Sequence, residues 1–303
     1  LNAVSRPMFA RAIDTLTGEE RDINTQELTN YNVTVVEKAL RNNSYVSFIN
    51  THMNRFGNPY RANVLGMDHK LVNKANRYAV FLEGAWSHRL DENKGIENGF
   101  YYDVDISKIQ GQFLASLSRR LETDKYNPND MGFIRVNNEV SNRLRLSYNI
   151  YEPFWVLQNL YNSLFMEYST LYHPRKFREK NIGLRSRMTF NNFLTFGFVS
   201  FYQPESFDWY EPRVQGYKMI EPGYVYNSAY LSSDYRKPLA LDAEITHRRS
   251  FDHETEFIGL SLSPRIRIND NFFINYSIDD NTFKNDLGYI DHTEEEDSIY
   301  FGK

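Results

Sequence analysis

"FIGLSLSPRIRINDNFFINYSI" (residues 257–278) alternates almost without interruption. Ile258, Leu260, Leu262, Pro264, Ile266 and Ile268 share one parity, and Gly259, Ser261, Ser263, Arg265 and Arg267 share the other. After Asn269-Asp270-Asn271 the alternation resumes, with Phe272, Ile274, Tyr276 and Ile278 against Phe273, Asn275, Ser277 and Asp279. Successive side chains of a strand point to opposite faces, so this is a hairpin with one apolar face and one polar, charged face. The eleven residues 258–268 extend about 36 Å at ~3.3 Å per residue. A tilt of ~45° projects that length to about 25 Å, the height of the apolar band on an outer-membrane barrel. Strands of soluble sandwiches average only ~5–6 residues.

The same pattern recurs along the chain. Period-2 segments bounded by turn residues predict strands at 1–8, 28–40, 44–54, 61–72, 77–89, 100–109, 112–122, 142–152, 160–172, 178–190, 193–203, 223–233, 238–248, 256–268, 272–282 and 297–303. Tight turns fall at 41–43, 73–76, 110–111, 191–192, 234–237 and 269–271, with a moderate one at 153–159. Longer joins lie between them, at 9–27, 55–60, 90–99, 123–141, 173–177, 204–222, 249–255 and 283–296. Short and long connections alternate, the habit of an up-and-down antiparallel transmembrane β-barrel with short periplasmic turns and longer extracellular loops. About sixteen strands are represented.

The apolar parity continues through Leu144, Leu146, Tyr148 and Ile150, through Ile182, Leu184, Met188 and Phe190, and through Leu239, Leu241, Ala243 and Ile245. Charges occupy the opposite parity: Arg143 and Arg145, Glu167, Arg185 and Arg187, Asp242 and Glu244, Arg265 and Arg267. These are the candidate lumen-facing groups. Pro264 has no amide hydrogen for a ladder and predicts a bulge or break there. Tyr148, Tyr151, Phe154 and Trp155 near strand ends suit an interfacial girdle, or ordinary packing between neighbouring strands.

Composition narrows the functional classes. With 35 basic and 39 acidic residues the net charge is −4, so no basic surface for nucleic acid stands out. No stretch approaches the ~18 apolar residues of a spanning helix. The chain has no Cys, which excludes disulfides, thiolate metal sites and a Cys nucleophile. It opens on Leu1-Asn2-Ala3-Val4 and closes on Phe301-Gly302-Lys303, and it reads as an internal piece of a longer polypeptide.

Four ordered segments carry a family resemblance: "LTNYNVTVVEKALRNNSYVSFINTHMNR" (28–55), "DKYNPNDMGFI" (124–134), "YEPRVQGY" (210–217) and "NDLGYID" (285–291). Together they resemble the uncharacterised outer-membrane barrel of Bacteroidota-type bacteria that commonly follows a family-9 carbohydrate-binding-like sandwich. The resemblance implies a single exported barrel domain over 1–303, with the N-terminal binding domain and closing strands outside this chain. It implies no catalytic residues and no cofactor.

Three constellations are candidates for function. Charges along the lumen tune which solutes pass, or pair with one another in a filled interior. In the hairpin of 160–172 with 178–190, Glu167 is expected near Arg185, and Asp242 and Glu244 one strand from Arg265 and Arg267. In the join 204–222, Trp209, Tyr210 and Tyr217 beside Asp208, Glu211 and Arg213 suit stacking on a sugar, folding inward as a plug, or docking a partner. The acidic run 291–298 offers oxygen ligands but lacks the spacing of a calcium loop, so no metal site is expected. Asp68-His69 and Asp252-His253 place acid beside imidazole on opposite strand faces, and no HExxH, nucleophile elbow or phosphate loop occurs. The expected function is a non-enzymatic outer-membrane barrel in surface nutrient or glycan handling, as conduit or membrane anchor. The alternative is a non-transporting structural or interaction component of a larger outer-membrane complex. Expected partners are outer-membrane lipid, glycans or small solutes, and other outer-membrane proteins.

Overall fold

The computed structural model describes residues 1–303 except 58, 92–94, 215, 253, 294–297 and 303. The described residues form strands and turns, and no helix is long and apolar enough to cross a membrane. Three short strands come first: β1 (Asn2–Ser5), β2 (Met8–Ile13) and β3 (Glu20–Gln26). Long strands follow as β4 (Thr29–Ala39), β5 (Tyr45–Arg55), β6 (Arg61–Val72), β7 (Tyr78–Asp91), β8 (Gly95–Lys108) and β9 (Phe113–Glu122). The run continues with β10 (Glu139–Ile150), β11 (Leu157–Leu171), β12 (Phe177–Phe190) and β13 (Thr195–Gln203). Two three-residue strands, β14 (Ser206–Asp208) and β15 (Met219–Glu221), precede β16 (Tyr224–Ser232), β17 (Leu239–Ser250) and β18 (Glu256–Asn269). The last are β19 (Phe272–Asn275), β20 (Ile278–Lys284), β21 (Gly288–Thr293) and β22 (Ser298–Gly302).

One 16-stranded antiparallel sheet takes the order β1-β4-β5-β6-β7-β8-β9-β10-β11-β12-β13-β16-β17-β18-β19, with β20 also on β18. Neighbours in the sheet are thus neighbours in the chain, apart from the small hairpins β2–β3 and β14–β15. Among the described residues no pairing joins β1 to β19 or β20, so the ladder as described has two ends.

Cα packing divides the chain into two units. The first comprises residues 1–106, 118–140 and 171–174. Its ladder runs Val36↔Phe48↔Met67, with Leu65↔Trp86 beside it, and this face is exposed and apolar. The other face carries Asp68↔Glu83 and Val64↔Ser87.

The second unit comprises residues 107–117, 141–170 and 175–303. One row across five of its strands reads Phe196↔Leu231↔Ala243↔Leu262↔Ile278. The adjacent row on the opposite face reads Gly197↔Tyr230↔Glu244↔Ser261↔Asp279. The apolar row and its neighbours lie open: Leu184 is 56% exposed, Ile245 52% and Leu260 47%. By contrast, Ser87, Ser141, Ser169, Ser206 and Thr29 are almost fully buried. A water-soluble domain places these residue types the other way round.

Several strand expectations need correction. The joins at 9–27, 204–222 and 283–296 contain the strands β2, β3, β14, β15 and β21. The segment 272–282 is two strands, broken at Tyr276-Ser277. The cause lies across the ladder, where Pro264 offers no amide hydrogen. β18 itself runs unbroken, with Leu241↔Pro264 in register on its other side. At the break Ser263 and Ser277 bond through their hydroxyls at 2.9 Å.

Candidate functional site

The polar face of the second unit holds a cavity of about 690 Å³, bordered by β11, β12, β13, β16 and β17. Its floor exists because glycines leave room for rings. A Cβ on Gly183 would strike Phe165 and Phe201, and one on Gly197 would strike the Tyr230 ring. Aromatic rings laid over strand glycines restore the packing that glycine omits. Phe201 stacks on Tyr226 with centroids 4.8 Å apart and planes at 22°, and Phe165 meets Phe201 edge-on at 6.3 Å.

Four of the predicted charges border this cavity: Glu167, Arg185, Arg187 and Glu244. Glu167 accepts a hydrogen bond from Arg143 Nε at 2.9 Å. The expected Glu167–Arg185 opposition does not occur: Glu167 faces Asn181 and Arg185 faces Ser163. A bulge at Ser169/Thr170 shifts the register by only one residue, whereas Arg185 lies four positions along β12 from Asn181. Glu244 accepts from the Ser228 hydroxyl at 2.7 Å. Arg145 shares the parity of Arg143 but does not line this cavity.

The remaining predicted charges gather around Tyr235, in the turn between β16 and β17. Asp242 accepts from the Tyr235 hydroxyl. The Arg265 guanidinium lies 5.5 Å from the Tyr235 centroid and 4.8 Å from that of Phe273, while Arg267 donates to the Tyr235 carbonyl at 3.2 Å. Asp242 and Arg265 share a face one strand apart, but Asp242 pairs with Ser263 and Arg265 with Ala240. Their organiser is a turn tyrosine, not each other. In the same turn Asp234 is held by Arg236 through side-chain and backbone bonds, which lower its carboxyl to about 2.

The 204–222 join folds onto its own unit. Trp209 Nε1 donates to the Phe177 carbonyl at 3.0 Å, and Phe207 packs edge-on against Phe177 at 5.8 Å. Lys176 and Lys218 both approach the Trp209 ring, at 4.7 and 5.7 Å. Asp208 accepts from the Tyr210 and Glu211 amides at 2.7 and 2.9 Å, closing a local turn around buried Pro212. Glu211 accepts from the Tyr289 amide at 2.8 Å, and Arg213 lies 4.7 Å over the Tyr289 ring. Tyr217 remains exposed.

In the first unit the join 123–138 lies on the polar face, a placement that alternation did not reveal. Ser87 Oγ accepts from the Asn127 amide at 3.1 Å, Tyr126 stacks on Tyr101 at 5.8 Å, and Arg120 lies 5.0 Å over Tyr101. Tyr60 donates to Asp130 at 2.8–2.9 Å and has Arg55 4.5 Å over its ring. Burial, then the Asp130 bond, push the Tyr60 phenol up to about 12. The legible signal was the pair of small residues, Ser87 and Gly99, on strands otherwise rich in large side chains.

The chain belongs to a family described as "Domain of unknown function (DUF5916)". Its family model matches residues 1–303. Comparisons with curated proteins and with solved structures give no match. Within this family member, two of the four segments quoted above pack together through Glu211, Arg213 and Tyr289. A third, 124–134, is the body of the join that covers Ser87. The acidic run at 294–297 and His253 lie outside the described residues; among those described, no group of three His, Asp or Glu could hold a metal.

Proposed function

We propose that this chain is a membrane-embedded barrel of a bacterial outer membrane, of the Bacteroidota-type class that its segments resemble. On this reading it serves surface nutrient or glycan handling, as a conduit for small solutes or as an anchor for a binding domain. The observation that carries the proposal is the inverted burial: an exposed apolar face on long strands, with serines and threonine buried. Contiguous exposed apolar surface on this scale needs a covering medium, and lipid is the one whose thickness fits strands of 12–14 residues such as β6, β7, β12 and β18. The polar face then meets water, glycans or solutes, and other outer-membrane proteins are the remaining partners.

The test is reconstitution of the native full-length protein into lipid vesicles followed by planar-bilayer recording. Protease-protected strands and ion conductance are expected. A protein that stays soluble and monomeric without detergent would overturn the membrane reading. A second reading, a non-transporting component of a larger outer-membrane assembly, draws support from the 123–138 join lying on the polar face of the first unit. Full insertion with electrical silence would favour it.

A further inference from the structure

We propose that the cavity on the polar face of the second unit binds a small ring-bearing organic anion, an acidic sugar, with its carboxylate on Arg185 and Arg187 and its ring on the Phe201–Tyr226 stack. This deepens the proposed function and rests on its premise that this face is open to water. The two arginines sit two positions apart on β12, about 7 Å along the strand. Their cross-strand neighbours are Ser163 and Val199 for Arg185, and Tyr161 and Gly197 for Arg187, none of them acidic.

The contrast with the other charges is what points to a ligand. The cavity's carboxylates are already engaged, Glu167 by Arg143 at 2.9 Å and Glu244 by Ser228 at 2.7 Å. Among the described residues neither the Arg185 nor the Arg187 side chain has a hydrogen bond, an ion pair or a ring beneath it. Paired guanidiniums fit the planar fork of a carboxylate, and such charge-assisted bonds are the stronger kind. Beside them the stacked rings at 4.8 Å offer an apolar platform, and Asn181, Ser186 and Ser228 border the same space. A volume of about 690 Å³ is in the range of small-molecule sites. Glu167 and Glu244 then act against a second negative charge, which favours a ligand with one anionic group.

Isothermal titration of the detergent-solubilised full chain with glucuronate, glucose and inorganic phosphate tests this. Glucuronate should bind saturably and at least about tenfold more tightly than either of the others. The double variant Arg185→Gln/Arg187→Gln should lose that preference, Tyr226→Leu should weaken glucuronate alone, and Arg236→Gln, in a turn, should change nothing. Equal binding of glucose and glucuronate, or binding indifferent to the double variant, would overturn the guanidinium site. Phosphate binding as tightly as glucuronate would overturn the ring platform. Conductance in bilayers without glucuronate binding overturns this site and leaves the conduit standing; binding without conductance supports the site and removes only the conduit.

Discussion

A Cβ built on Gly99 would overlap the Lys125 and Tyr126 backbone, so the strand can hold the 123–138 join against itself only with glycine there. Gly99→Ala should therefore lift that join. Overpacking of this kind costs about 1–3 kcal/mol, and limited trypsin digestion should cut after Lys125 several-fold faster than in the wild type, while cleavage elsewhere is unchanged. The same join is held at its far side by Tyr60 on Asp130, and that contact sets a pH dependence. The folded phenol titrates at about 12, above the ordinary value of ~10, first because of burial and then because of its Asp130 partner. A group whose folded value is raised contributes stability that is present below pH ~10 and is lost as pH rises through about 12. Ultraviolet difference titration of wild type against Tyr60→Phe should show one phenol ionising late, and the stability gap between the two should narrow over that window. The Tyr126 phenol is raised as well, and Tyr101 stacks on it, so an undiminished late component in Tyr60→Phe would assign it to them instead. At this scale the sequence was partly readable: small residues at Ser87 and Gly99 announce a close approach, but nothing local says that residues 123–138 are what approaches.

The two parities of β18 make opposite predictions for neighbouring positions. Ile266 is 46% exposed on the apolar face, and Arg267 is anchored to the Tyr235 carbonyl on the other. In lipid, Ile266→Arg should cost about 2–4 kcal/mol near the midplane and less toward the interface. Arg267→Ile loses one hydrogen bond, about 1 kcal/mol. Denaturant titration of vesicle-inserted protein compares them, and equal costs would place both faces in the same medium. The alternation that separates these residues was legible because long strands repeat it many times over, and β6 matched its expected span of 61–72. Short strands lack that redundancy. β14 and β15 have three residues each, too few to show a period, so their hairpin was hidden in a polar join. Register was hidden as well. The expected Glu167–Arg185 contact required the register of β11 on β12, and alternation fixes the face a residue takes, not the residue it opposes. Four of the expected charges, Glu167, Arg185, Arg187 and Glu244, border one cavity, but the partners Arg143, Ser228 and Tyr235 were not foreseeable from one strand at a time.

At the scale of the molecule, the two small-over-large devices serve opposite ends. Glycines 183 and 197 let rings lie flat on the second unit's polar face and leave about 690 Å³ of space above them. Ser87 and Gly99 instead let a join lie flat on the first unit's polar face and fill it. A conduit needs the first arrangement along its whole length, and an anchor tolerates the second. Of the segments that carry the family resemblance, 124–134 covers Ser87, while 210–217 is tied to 285–291 through Glu211 and Tyr289. If the join limits passage, releasing it should be visible electrically. Bilayer recordings of Gly99→Ala should then show conductance raised at least about twofold over the wild type, as expected when a constriction is removed. Unchanged conductance, alongside faster cleavage at Lys125, would mean that the join moves without opening anything, and the anchor reading would be the one left standing.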